Sequence, residues 1–136
     1  MKRHSIYLLV ALCGLITTGG LFAAHAQEAV TYEQILKNRW EMTDAQFAAY
    51  QKALVGQPVK WSGKLSDVTA DDWWFLGTSY TARIIVAGYE PSVFCSVSSE
   101  AAQQLRKNAT YAFSGKIEEI DSFLRIFVTL KDVTFE

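Results

Sequence analysis

The sequence predicts a mainly β fold: five short strands, one helix between the third and fourth of them, and a helical extension in front. Three observations carry this reading. The apolar pattern changes from a helical period to strict alternation after Pro58. A helical stretch, "SSEAAQQLRKN", then interrupts the alternation. Finally, the octet "WSGKLSDV" at residues 61–68 returns as "FSGKIEEI" at residues 113–120, so two of the strands share one plan.

A leader precedes the fold. "MKRH" is a positive n-region, an apolar run follows, and Ala24 and Ala26 stand at the small-residue positions of an A-x-A cleavage site. Residues 1–26 are therefore expected to be a signal peptide cut near Ala26/Gln27, giving a periplasmic or secreted protein that meets the membrane only transiently, through that peptide. Two alternatives fit the sequence less well. Gly14, Gly19 and Gly20 argue against an uncleaved anchor, and bulky Leu12 argues against a lipidated Cys13.

The rest of the chain reads in order. Residues 27–55 form the helical extension. Ile35, Leu36 and Trp40 lie close to one face, then Thr43 with Gln46 spells a capping box, and Phe47, Tyr50 and Leu54 recur at helical spacing. Gly56 and Pro58 stop the helix. Residues 56–136 hold the strands. Val59, Trp61, Gly63 and Leu65 alternate with polar residues; "VTADD" is expected as a loop, and "WWFLGTSYTARIIVAG" as a long β segment bent at Gly77. "AGYEPS" turns into "VFCSVSS", and the helix from Ser98 or Ser99 ends with Arg106, Lys107 and Asn108, its charges complementing the helix dipole. Two strands close the chain, with Leu124, Ile126, Val128 and Leu130 expected on one face of the last.

Five strands with a helix after the third is the layout of the OB-fold, a five-stranded Greek-key barrel. In such a barrel the first and fourth strands both curve strongly. A glycine inside a strand marks such a bend. The octets are thus expected to place Gly63 and Gly115 at equivalent bends, with Trp61, Phe113, Leu65 and Ile117 inward and Lys64 and Lys116 in water. The helical extension is expected to plug one open end of the barrel, with a partner-binding arm at residues 28–42 as the lesser alternative.

The run "MTDAQFAAYQKALVGQPVKWSGKLSDV", followed by "VFCSVSSEAAQQLRKNATYAFSGKI", resembles the exported bacterial OB-fold proteins called tRNA-anti-codon-binding-like (tRNA_anti-like). The likeness runs from about residue 43 to 135 and rests on the W-x-G of the first strand, the Cys-bearing third strand, the helix and the apolar-x-Gly of the fourth strand. It implies the OB-fold. Nucleic-acid binding would follow only by analogy with the family name.

Composition excludes several chemistries. Lys2 and Arg3 leave with the leader, so 11 basic and 14 acidic side chains remain, which argues against a broad nucleic-acid-binding face. His4 and His25 leave too, removing the commonest general base and metal ligand. Cys95 is left alone, with no intramolecular disulfide and an expected place in the core. No cofactor or metal is expected. The acidic pair Asp71 and Asp72, and the group Glu118, Glu119 and Asp121, lack the spacing of a calcium loop and read as solvated charge.

Ligands of such barrels lie across the second and third strands and the loops joining strands one to two and four to five. Trp73, Trp74, Tyr80, Arg83 and Phe123 fall there, with Ser122 beside them. The aromatics offer stacking surfaces and Arg83 an anion partner. The expected function is a non-catalytic binding module of the cell envelope whose partner is a protein or envelope component. The alternatives are single-stranded oligonucleotide binding by stacking and a structural subunit of an envelope assembly.

Overall fold

The computed structural model describes residues 29–73 and 77–136. The predicted leader and its cleavage point at Ala26/Gln27 lie outside them. Two helices come first: α1 (Tyr32–Glu41) and α2 (Asp44–Leu54). Each starts with the same device. Thr31 and Thr43 accept a hydrogen bond from the backbone N–H of Gln34 and Gln46, whose side chains accept the threonine N–H in return.

Five strands follow: β1 (Pro58–Trp73), β2 (Gly77–Ile85), β3 (Val93–Val97), β4 (Thr110–Asp121) and β5 (Phe127–Phe135), with the short α3 (Ser99–Gln104) between β3 and β4. The order β1-β2-β3-β5-β4 closes on itself through the β1–β4 ladder, and β3 runs parallel to β5. Alternate residues of each strand fill the interior, among them Leu65, Ile84, Cys95, Phe113, Ile117 and Leu130, all essentially inaccessible to water.

The repeated octet has the expected inward and outward parity. Trp61, Leu65, Phe113 and Ile117 are buried, Lys64 and Lys116 exposed. Both glycines sit where a neighbouring strand comes close, at Gly63 too close for a side chain. A Cβ on Gly63 would lie 2.6 Å from the Ile85 carbonyl oxygen, and one on Gly115 would lie 3.0 Å from that of Lys131.

The helical extension is pinned against the ring. Trp61 donates its indole N–H to the Val30 carbonyl at 2.9 Å, and Tyr32 donates its hydroxyl to the Ile126 carbonyl at 3.1 Å. The two rings meet edge to face, and Ile35 is fully buried below them. Gln51 of α2 donates to the Ile120 carbonyl and the Ser122 hydroxyl.

Four expectations are corrected. "VTADD" is strand: β1 continues to Trp73, with Asp71 opposite Ser79 and Asp72 opposite Thr78, whose hydroxyl donates to the Asp72 carboxylate at 2.6 Å. The helix after β3 stops at Gln104, because Leu105 is extended and the Arg106 N–H donates to the Tyr111 hydroxyl instead of continuing the helix. Leu124 precedes β5 and is 87 % exposed. There the Asp121 carboxylate accepts the Phe123 N–H, a local bond that competes with the strand ladder. Trp40 is likewise 87 % exposed instead of joining the apolar side of its helix, which Tyr32 and Ile35 occupy.

Candidate functional site

Strand β2 is paired without a break on its own side, so its residues alternate strictly between faces. Ala82 and Ile84 point inward and Arg83 outward. Tyr80 shares the parity of Ala82 and is half-buried, so it does not join Arg83 on one surface. Trp73 is paired with Gly77 through its backbone, while its side chain and Trp74 lie outside what the structure describes.

Arg83 opens a strip that the sequence pattern alone did not reveal. Its guanidinium lies over the ring of Phe94, its cross-strand partner on β3, at 5.5 Å. Phe94 meets Phe127 of β5 with ring centroids 5.5 Å apart, and the Arg125 guanidinium lies over Phe127 at 4.6 Å. A cation, two aromatic rings and a second cation thus run in contact across β2, β3 and β5. Arg125 also pairs with Glu90 of the β2–β3 loop.

Beyond Arg125 the surface becomes apolar and concave. A cleft of about 500 Å³ is lined by Tyr32, Leu36, the turn Ala87–Glu90, Ser92, Arg125 and Ile126. A second groove of about 240 Å³ continues from it between α1 and the β4–β5 loop, lined by Arg39, Trp40, Ser122, Phe123 and Leu124. The two share Leu36, Arg125 and Ile126. Their rims gather Trp40, Tyr89, Phe123 and Leu124, which are 87 to 99 % exposed; Val55, the fifth large exposed apolar residue among the described residues, is 52 % exposed and lines neither groove. Scattered exposed apolar residues are ordinary, whereas four gathered on one concave surface mark an interaction site.

Phe123 is the sequence-predicted site residue that this surface contains. Periodicity puts Trp40 close to one face of its helix with Ile35 and Leu36, Leu124 on one face of the last strand, and Tyr89 in the predicted turn. Charge on the surface is internally matched: Arg125 pairs with Glu90, and Arg39 pairs with Asp44 at 3.2 Å while lying over Phe47. Such exposed pairs add little stability, but they leave the rim without a strong net sign.

Cys95 stands away from the site. It is buried between Ala82 and Leu130, its register partners on either side, and burial alone pushes its thiol from 9.0 up to about 12. A thiol held protonated is a poor nucleophile.

The chain is similar to a crystal structure from Klebsiella pneumoniae subsp. pneumoniae MGH 78578, a protein provisionally described as a nucleic acid-binding lipoprotein. The TM-score is 0.58, over 87 % of this chain and 98 % of that one. This chain shares that protein's fold. Only 13 % of residues are identical, so the likeness extends to architecture and no further. No family model matches the chain, and no curated protein does. No helix among the described residues is long and apolar enough to cross a membrane.

Proposed function

We propose that this chain is an exported, non-catalytic OB-fold module that holds a component of the cell envelope in the double groove beside Arg125. One observation carries the reading: four exposed apolar side chains from three separate segments converge on two adjoining clefts. The ring order, the parallel β3–β5 pair and the position of α3 support the OB-fold and the resemblance to the tRNA-anti-codon-binding-like proteins. Export is supported by the n-region, apolar run and A-x-A site of residues 1–26, and by the lipoprotein description of the structural neighbour.

Binding without catalysis is supported by side-chain chemistry. Both histidines precede the predicted cleavage point, and the Cys95 thiol is buried and protonated. The test is hydrogen exchange of the exported protein, alone and with its own envelope fraction. Protection is expected at residues 36–40, 86–92 and 122–126; protection spread evenly over the ring, or none, contradicts the reading.

A second reading has one observation in its favour. The contact strip Arg83, Phe94, Phe127 and Arg125 has the alternation of stacking face and cation that single-stranded nucleic acid uses. The neighbour's description points the same way. A titration with a thymidine dodecamer at low salt, read by amide shifts at residues 83, 94 and 127, decides it. A saturable shift that weakens steeply with salt favours oligonucleotide binding, and unchanged spectra leave the strip as packing.

A further inference from the structure

We infer that the face built by Trp40, Tyr89, Phe123 and Leu124 docks on a zwitterionic phospholipid bilayer, its rim side chains entering the membrane–water interface. The inference deepens the reading above: it rests on the double groove being the binding face and names the bilayer surface as the envelope component.

The four side chains stand clear of the protein's own surface. They are 87 to 99 % exposed and come from α1, the β2–β3 loop and the β4–β5 loop. Burying such a protrusion against a folded partner requires a pocket shaped for it, whereas a fluid lipid layer closes around any shape. The residue types suit that layer. Trp and Tyr rings are enriched at headgroup level, and Phe and Leu supply apolar surface that enters just below it. Behind the rim, Leu36 and Ile126 carry the apolar surface on into both grooves.

The position of the leader points to the same partner. The chain enters the fold at this face: Trp61 holds the Val30 carbonyl, and Tyr32, two residues on, lines the larger cleft. The apolar run of the leader ends at Phe22, and six residues, Ala23 to Glu28, separate it from Ala29. Fully extended, that stretch spans about 25 Å at most. From Tyr32, α1 carries the surface to Trp40 in about 12 Å. While the leader sits in the membrane, the rim is therefore tethered beside it. Cleavage near Ala26/Gln27 would remove the tether and leave the rim at a surface it already meets, so contact with the membrane would outlast the leader.

Charge selects the kind of bilayer. Lys37 pairs with Glu41, Arg39 with Asp44 and Arg125 with Glu90, so the cations around the rim have carboxylate partners. Asp121, whose carboxylate accepts the Phe123 N–H, adds negative charge next to the loop that would enter the lipid. An anionic surface gains nothing here and is repelled at Asp121. A zwitterionic surface takes up the aromatic rim without that cost, and its hold depends little on salt.

The experiment mixes the exported protein with phosphatidylcholine vesicles and measures the bound fraction by sedimentation. A nitroxide on the lipid headgroup then maps the contact through broadening of amide signals. Binding is expected to change less than about twofold between low and high salt. Broadening is expected at residues 39–41, 88–90 and 122–125, and not at Val55. Trp40→Ala and Phe123→Ala should each weaken binding at least about threefold, and together at least about tenfold, while Val55→Ala leaves it unchanged. All three side chains are exposed, so the variants keep the fold. No vesicle binding, binding confined to anionic vesicles and abolished by salt, or binding that Trp40→Ala and Phe123→Ala leave intact each overturns the inference. If the envelope fraction protects the groove in hydrogen exchange while vesicles do not bind, the partner is a protein of that fraction: the lipid inference falls and the groove reading stands. If neither registers, both fall.

Discussion

Trp61 and Phe113 face each other across the β1–β4 ladder, and the repeated octet begins at each of them. A local two-fold axis through this pair relates the two strands. Gly63 lies opposite Tyr111 on one side of it, and Gly115 opposite Val59 on the other. The equivalence continues outward: register slips between Leu65 and Asp67 on β1, and between Ile117 and Glu119 on β4, at the same octet positions. Leu65 then pairs with Ile84 of β2, and Ile117 with Leu130 of β5. The octet therefore encodes a strand that pairs inward with its twin, loses its side chain where the next strand crowds it, and bulges to pair outward.

This symmetry makes a quantitative prediction at the glycines. Gly63→Ala should cost about 1–3 kcal/mol, because its Cβ meets a backbone carbonyl and the Ile84 side chain at 2.6 Å and nothing flexible can yield. Gly115→Ala, with contacts at 3.0 Å, should cost less. Urea denaturation of the two variants checks the order.

The indole N–H of Trp61 is predicted to hold the helical extension in place. Trp61→Phe keeps an aromatic ring against Tyr32 and leaves the Val30 carbonyl without its donor, at a cost of about 1 kcal/mol. Amide exchange should quicken across α1 while β4 is little changed. Equal acceleration in both would place the effect in the ring itself.

Exposed and buried residues of α1 and of the β4–β5 loop beside it should separate cleanly. Trp40→Ala and Leu124→Ala should stay within about 0.5 kcal/mol of the parent, since both side chains are in solvent. Ile35→Ala, fully buried, should cost about 2–5 kcal/mol. Thermal melts distinguish these, and the two exposed variants should nevertheless lose binding.

Cys95 should be silent until the protein unfolds. Its thiol, raised from 9.0 to about 12 by burial, stays protonated in the folded chain while the unfolded chain ionises. The unfolded state therefore binds fewer protons above pH 9, so the thiol's contribution to stability is intact below that pH and is lost between pH 9 and about 12. Ellman's reagent at pH 8 should react in denaturant and not without it.

The sequence made the ring legible because its signals are local. Alternation marked four of the five strands, Thr43 with Gln46 marked the start of α2, and the octet marked β1 and β4 as twins. Thr31 with Gln34 repeats the same Thr-x-x-Gln spelling and caps α1 in the same way. The misses came where local bonds and tertiary packing overrule periodicity. Leu124 keeps the parity of Ile126 and Val128, but the Asp121 carboxylate takes up the Phe123 N–H and the strand restarts only at Phe127. Trp40 has helical spacing, yet the ring accepts the Tyr32–Ile35 side of α1. The strip from Arg83 to Arg125 joins residues 42 positions apart through the parallel β3–β5 pair, a relation invisible to any window of sequence.

The double groove is the central claim, and photo-crosslinking tests it most directly. A photoreactive residue replaces Phe123 in the exported protein, the cells are irradiated intact, and the same residue at Val55, exposed outside both grooves, serves as control. The account predicts one defined envelope adduct at position 123, lost when Trp40→Ala and Leu124→Ala are added and absent at position 55. Identical, heterogeneous adducts at both positions would contradict it.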